Sequence, residues 1–290
     1  MLIIPTLWES SAFIHIINIY INNEIHINNE MNEFITGFVW FQVVMTDYPN
    51  SIDDEFEGCK EDMYKQVQTL LDEELNSNGN FMAAWNKAKS HRSVKSSKSA
   101  SKLTEKKLRD KLKRLAILAY TGSPIHRELN DKMREGRGTY MTGFGLISLH
   151  FLLTDVIQTR NAEQYLQHEC RNTYRRNNIT TEITGPSVRF GSFASSSLFP
   201  DKTHFGSETC FIITTCYGAD ISMISWFGDG EAEVLIPPYE VFESKPVTNI
   251  PPELSDCKRV YKLHSELADH SSIQQSFSCV TVFVLYFWCI

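Results

Sequence analysis

Val188-Arg189-Phe190-Gly191-Ser192-Phe193-Ala194-Ser195-Ser196-Ser197-Leu198 alternates apolar and polar residues and then runs into three hydroxyls. Further along, Gly228-Asp229-Gly230-Glu231-Ala232-Glu233 delivers two acids into Val234-Leu235-Ile236-Pro237-Pro238. Both stretches have the two-residue period or the short apolar run of a strand. Working outward, similar runs at 187–194, 211–216, 221–224, 233–236 and 260–263 are set apart by Gly, Pro and Ser, and they predict strands after Arg171. Before Arg171 the period is helical. Cys59, Met63, Val67, Leu70 and Leu71 recur at three- and four-residue steps, and Phe81, Ala84, Trp85 and Ala88 continue them. A further helix is expected from Lys102 to Tyr120, ending at Thr121-Gly122, and an amphipathic one from Phe144 to Ile157. Ser90 to Ser101 reads as a loop. Helices first and strands afterwards describe an α+β fold.

Charge narrows the partners. Of 28 Lys and Arg, 12 lie between Lys87 and Arg114, opposed there only by Glu105 and Asp110. The remainder carries 16 basic against 33 acidic residues, a balance of −17 that repels phosphate backbones and argues against nucleic acid. The basic stretch itself reads as a linker and solvated helix face. Seven cysteines without CxxC pairing or His spacing argue against a zinc site. They fit either disulfides in an oxidising compartment or buried thiols in the cytosol. No Gly-x-Gly-x-x-Gly is present, so a nucleotide would be held by another device.

The ends give little. Residues 1–46 are rich in Ile and Asn and read as a leader or a poorly ordered segment, with Phe34 to Met45 offering a leader core. Residues 280–290 are apolar but too short to span a bilayer, which needs about 20 residues. They fit an anchor-attachment tail or a last strand.

Three features carry chemistry. Tyr174-Arg175-Arg176 places a guanidinium fork at the end of a strand, suited to a diphosphate, although alone it reads as a surface pair. The hydroxyls of residues 195–197 can bond a ribose, a carboxamide or a carboxylate, although alone they read as a Ser-rich turn. Glu231 and Glu233, two residues apart on an extended segment, are expected on one side, where the paired charges raise the pKa of one of them, as general-base work requires. Alone they read as a solvated pair.

In this order, Arg, then Ser-x-Ser, then Glu-x-Glu, the chain resembles the arginine-specific mono-ADP-ribosyltransferases, the ecto-enzyme branch related to bacterial toxins. The likeness spans roughly Asp53 to Cys279. It includes Asp53-Asp54-Glu55-Phe56-Glu57-Gly58-Cys59, Ala116-Ile117-Leu118-Ala119-Tyr120-Thr121-Gly122 and Leu149-His150-Phe151-Leu152-Leu153-Thr154. The resemblance implies a helical N-terminal part packed on two small, mostly antiparallel sheets, with residues 47–279 as the catalytic domain. It implies NAD or NADP as ADP-ribose donor, no metal, and arginine-bearing proteins as acceptors. Arg175 would bind the NAD diphosphate, and Ser195 would support the nicotinamide ribose and the catalytic Glu233. Glu231 would mark arginine specificity, Phe205 would stack on nicotinamide, and Trp226 and Phe227 would form the substrate-recognition turn. Arg176 departs from the family's usual Gly, which would narrow the NAD cleft or add a phosphate contact.

The resemblance also implies an extracellular enzyme, secreted or lipid-anchored, that meets the membrane only through such an anchor. Its disulfides would be Cys59–Cys279 and Cys170–Cys216, with Cys210–Cys257 as a third pair. Asn178-Ile179-Thr180 is a glycosylation sequon. Two alternatives stay open: an NAD glycohydrolase of the same fold, and a catalytically silent surface binding protein.

Overall fold

The computed structural model describes residues 42–95, 104–164 and 170–266. Six helices precede most of the strands: α1 (Lys60–Ser77), α2 (Gly79–Ser90), α3 (Arg92–Lys95), α4 (Glu105–Gly122), α5 (Ile125–Arg134) and α6 (Ile147–Gln164). Helix α1 buries Met63, Val67, Leu71 and Leu75, one residue per turn along a single face. The side chains of Asn78 and Thr104 cap α2 and α4 by accepting from the backbone N–H of Phe81 and Lys107.

The amphipathic helix expected at 144–157 is not amphipathic. Helix α6 buries every residue from Ser148 to Ile157, because α1, α4 and the short strand Ala219–Asp220 all pack on it. With its end buried, its first N–H groups need a partner from elsewhere. Glu74 of α1 supplies it, accepting from Ile147 N at 2.5 Å and Ser148 N at 3.0 Å. Helix α5 has no counterpart in the sequence reading, although Ile125, Leu129 and Met133 form its buried stripe.

Strands β1 (Gln42–Met45) and β3 (Thr180–Ile183) form a two-stranded parallel sheet. Residues 42–45 close the stretch that reads as leader or poorly ordered, and here they are a strand. The second sheet has eight strands in the order β4-β9-β10-β6-β2-β5-β8-β7, parallel only between β10 and β6. Its members are β2 (Arg171–Asn177), β4 (Ser187–Val188), β5 (Ala194–Ser197), β6 (Thr209–Thr215), β7 (Ala219–Asp220), β8 (Glu233–Ile236), β9 (Phe242–Pro246) and β10 (Arg259–Ser265). Strands β2 and β6 pair along seven residues, whereas β2 and β5 share the single register pair Tyr174–Ser197. That narrow joint divides the large sheet into two halves.

Two expected strands differ. The run 187–194 is broken into β4 and β5 by a bend at Gly191, whose φ is +64°. A Cβ there would lie 2.7 Å from Cγ of Tyr48, so glycine is required for both backbone and space. The run 221–224 is a turn. Ile221 and Ile224 are apolar because they pack on the helical core, and Asp220 Oδ1 closes the turn by accepting from Ser222 N.

Candidate active site

The joint between β2 and β5 gathers the residues singled out in the sequence. Arg175 on β2 donates from a guanidinium N–H to the Ser195 carbonyl at 2.6 Å. On β5 the Ser195 hydroxyl donates to Glu233 Oε1 at 2.7 Å, and Glu233 opens β8, the next strand. The Ser197 hydroxyl donates to the Glu231 carbonyl at 2.7 Å and holds the glutamate turn against β5.

Burial sets the electrostatics. Glu233 is 5% exposed, and its Oε2 is buried without a hydrogen-bond partner among the described residues. Its pKa is pushed up to about 7, first by burial and then by the charge of Glu231, against the lowering effects of the Ser195 and Ser225 hydroxyls. The like-charge pairing expected to raise one of the two acids thus acts on Glu233, but as a lesser part of the shift than burial. The two are not joined by strand alternation either. Glu231 has right-handed helical φ and ψ, and Ala232 has φ +46°, so a turn brings the acids within electrostatic reach. Glu231 is half-buried, which raises its pKa, while the charges of His204 and Lys202 oppose that rise.

Arg134, at the end of α5, was missed in the sequence. Burial lowers the pKa of Arg175, Tyr120 opposes that shift, and the Arg134 charge lowers it further, so Arg134 lies within electrostatic reach of Arg175. Arg134 itself is paired with Asp131 at 2.8 Å. A sign in the sequence is Arg134 itself, a basic residue in the last turn one step beyond the Ile125, Leu129, Met133 stripe.

Beneath the site, Tyr120 of α4 donates its hydroxyl to the Phe193 carbonyl at 3.3 Å, and Asn130 of α5 donates to the same carbonyl at 3.2 Å. The Phe193 ring meets Tyr120 and His150 edge-on, each with centroids 5.9 Å apart. The helices thus fix the backbone two residues before Ser195.

The recognition-turn residues separate. Trp226 faces the helices: Lys87 lies 4.6 Å above its ring, His91 packs at 4.8 Å, and a Cβ on Gly122 would run into it. Phe227 is 54% exposed and Phe205 45% exposed. The Phe205 ring lies 4.1 Å from that of His204.

Arg176 points away from Arg175, as neighbours on a strand must. Its side chain is 2% exposed and paired with Asp256 at 2.8 Å, and it donates to the Pro200 and Glu253 carbonyls. It neither narrows the cleft nor adds a phosphate contact. Arg176→Ala is expected to cost about 2–4 kcal/mol by stranding those carbonyls, while leaving NAD affinity unchanged. Denaturant melts beside calorimetric NAD titrations check both halves.

Cys170–Cys216 and Cys210–Cys257 are bonded. Cys279 lies outside the described residues, as do residues 1–41 and the 280–290 tail. Among the described residues, no three His, Cys, Asp or Glu side chains gather to hold a metal ion.

Known proteins align with this arrangement. The family model described as "NAD:arginine ADP-ribosyltransferase" matches residues 21–253. Mouse T-cell ecto-ADP-ribosyltransferase 1 is 34% identical over 282 residues, covering 89% of this chain and 94% of that protein. Chicken NAD(P)(+)--arginine ADP-ribosyltransferase 2 is 36% identical over 214 residues, covering 71% of this chain and 65% of its own length. Among solved structures, a mutant of the eukaryotic mono-ADP-ribosyltransferase ART2.2 in complex with NAD superposes with a TM-score of 0.63 at 31% identity, covering 77% of this chain and 94% of that one. With family model, relatives and fold in agreement over most of its length, the chain belongs to the NAD:arginine ADP-ribosyltransferase family.

Proposed function

We propose that this protein transfers ADP-ribose from NAD to arginine side chains of other proteins and releases nicotinamide. The observation that carries the reading is the buried Glu233 carboxylate, bonded to Ser195 through one oxygen and without a well-formed hydrogen bond at the other, although the Ser225 hydroxyl is near enough to lower its pKa. A buried acceptor without a donor is costly, and a ribose hydroxyl supplies the missing donor. The buried Arg175 guanidinium suits the donor's diphosphate. Phe205 offers an exposed ring on which nicotinamide can stack.

Positive charge develops on the ribose as nicotinamide leaves, as in glycoside hydrolysis. Glu233 faces that charge as an ionised carboxylate, and Ser195 fixes its orientation. The acceptor guanidinium has a pKa above about 12, so it must lose a proton as it attacks, and Glu231 receives it. Trp226 anchors the recognition turn, while Phe227 and Glu231 meet the acceptor.

The enzyme works outside the cell. Relatives carry names such as ecto-enzyme and GPI-linked enzyme, and two disulfides suit an oxidising compartment. The catalytic domain runs from residue 47 to 279 and is closed by Cys59–Cys279. Peptide mapping without reductant is expected to recover those two cysteines as one linked pair, and free thiols at both would remove the closure. Its loss should cost on the order of 2–5 kcal/mol.

The function is tested by incubating the purified chain with labelled NAD and an arginine-bearing acceptor. Label on arginine is expected. Nicotinamide release without label would point to the glycohydrolase alternative, and no NAD binding to a silent surface protein.

A further inference from the structure

The basic stretch plays no part in the site described above. In the fold it becomes a surface. Lys107, Lys111 and Arg114 recur at four- and three-residue steps on one side of α4. Lys89 at the end of α2 and Lys111 line the same groove of about 310 Å3, where the helix-core residues Trp85 and Leu112 also contribute. Lys89, Arg92, Lys107 and Lys111 are exposed. The local acids are engaged elsewhere: Glu105 pairs with Arg109, and Asp110 with Lys113. Among the described residues, Lys89, Lys107 and Lys111 have no carboxylate within ion-pair distance, although Asp72 is one of the groove's lining residues. Arg92 and Arg114 both lower the pKa of His91, after burial, so the positive field continues onto α3.

A groove with ammonium groups on both walls and carbon on its floor fits a linear polyanion with charges on both edges and apolar ring faces between them. The rest of the chain carries 16 basic against 33 acidic residues. That −17 repels a broad anionic surface, such as a membrane or a duplex, more than a single thin strand lying along the groove. Outside the cell, the address given by the proposed function, the thin polyanion of this chemistry is a sulfated polysaccharide.

We propose that the groove between α2 and α4 is a docking site for a sulfated glycosaminoglycan chain. The site borders the acceptor side of the enzyme, because Lys87 and His91, on and just after α2, pack on Trp226 of the recognition turn. Docking there holds the enzyme on the cell-surface matrix with its turn facing proteins bound to the same polymer.

The test uses the full chain on immobilised heparin at pH 7.4, beside the triple variant Lys89→Glu, Lys107→Glu, Lys111→Glu. The wild type is expected to stay bound beyond physiological ionic strength, about 0.15 M, where weak non-specific pairing is largely screened. The variant should bind at least about tenfold more weakly, since three ion pairs become three repulsions. Nicotinamide release from NAD should be unchanged in the variant, and it reports on the catalytic reading separately. If the reversed charges unfold the chain, the Lys→Gln triple gives the same comparison. Equal binding of desulfated heparin, equal retention of wild type and variant, or tighter binding to single-stranded nucleic acid or phosphatidylserine vesicles would overturn the proposal.

Discussion

Glu233→Gln is expected to abolish both transfer and NAD hydrolysis while making the folded protein more stable. The amide keeps the size of the side chain and its contact with Ser195 but loses the charge that faces the developing cation. Losing such a term typically costs about 100- to 1000-fold in rate. The stability gain follows from linkage. Burial raises the carboxyl pKa in the fold from the ordinary 4.5 to about 7. A group whose folded pKa is raised is fully favourable below its unfolded pKa, and that contribution is lost as pH rises through its folded pKa. At pH 7.5 to 8 the wild type therefore carries a penalty on the order of 2–4 kcal/mol that the amide does not. Thermal melts of the two proteins should converge near pH 4.5 and separate steadily up to about pH 7, with the variant higher. In the same window, kcat/KM of the wild type should rise with pH as Glu233 ionises, and then level off. Near-normal turnover in a folded variant would overturn the catalytic assignment. A variant less stable than wild type at pH 8 would mean that the Ser195 and Ser225 hydroxyls stabilise the carboxylate by more than burial penalises it.

What could be read in the chain beforehand depended on whether the cause was local. The stripe on α1 and the apolar run of β8 follow from spacing alone, and β8 occupies residues 233–236 as expected. The run 221–224 is ambiguous in sequence because two isoleucines three apart satisfy either a short strand or a turn pressed on a core, and only the neighbours decide. The sequence of helix α6 suggests an amphipathic helix because one side of its pattern is polar at Ser148, His150, Thr154 and Asp155. Those groups are buried too: His150 meets Tyr140 at 2.8 Å, and Asp155 meets Tyr64 at 2.6 Å. Long-range partners of that kind leave no local sign, and neither does Glu74 reaching the start of α6 from another helix.

The site was legible to a similar degree. Arg175, Ser195 and Glu233 meet because β2, β5 and β8 are adjacent, which the order of motifs implied and the strand pattern allowed. The behaviour of Arg176 follows from strand alternation, so its turn away from the cleft could have been read directly. The electrostatic effect of Arg134 on Arg175 could not, since it depends on where the fold places α5. Nor could the turn at Ala232, where a non-glycine residue takes a left-handed conformation that costs of order 1–2 kcal/mol. That turn is what sets Glu231 apart from Glu233.

The separation gives the second large effect. If Glu231 receives the proton of the acceptor guanidinium, Glu231→Gln should lose arginine labelling by about 100- to 10,000-fold, the range for a positioned acid or base. NAD binding and much of the NAD hydrolysis should persist, because Arg175, Ser195 and Glu233 are untouched and water needs less positioning. Two features of the structure sharpen the expectation. Glu231 is held through its backbone, by the Ser197 hydroxyl, so replacing its side-chain carboxyl leaves the turn anchored. The Glu231 charge also raises the pKa of Glu233. Removing it should move the rising limb of the hydrolysis profile to lower pH. A solvated, idle Glu231 would leave labelling, hydrolysis and that limb all unchanged. Joint loss of both activities in a folded variant would assign Glu231 to shaping the NAD site instead. Only selective loss of labelling, with hydrolysis retained and its pH limb shifted downward, fits a base that serves the acceptor and tunes its neighbour.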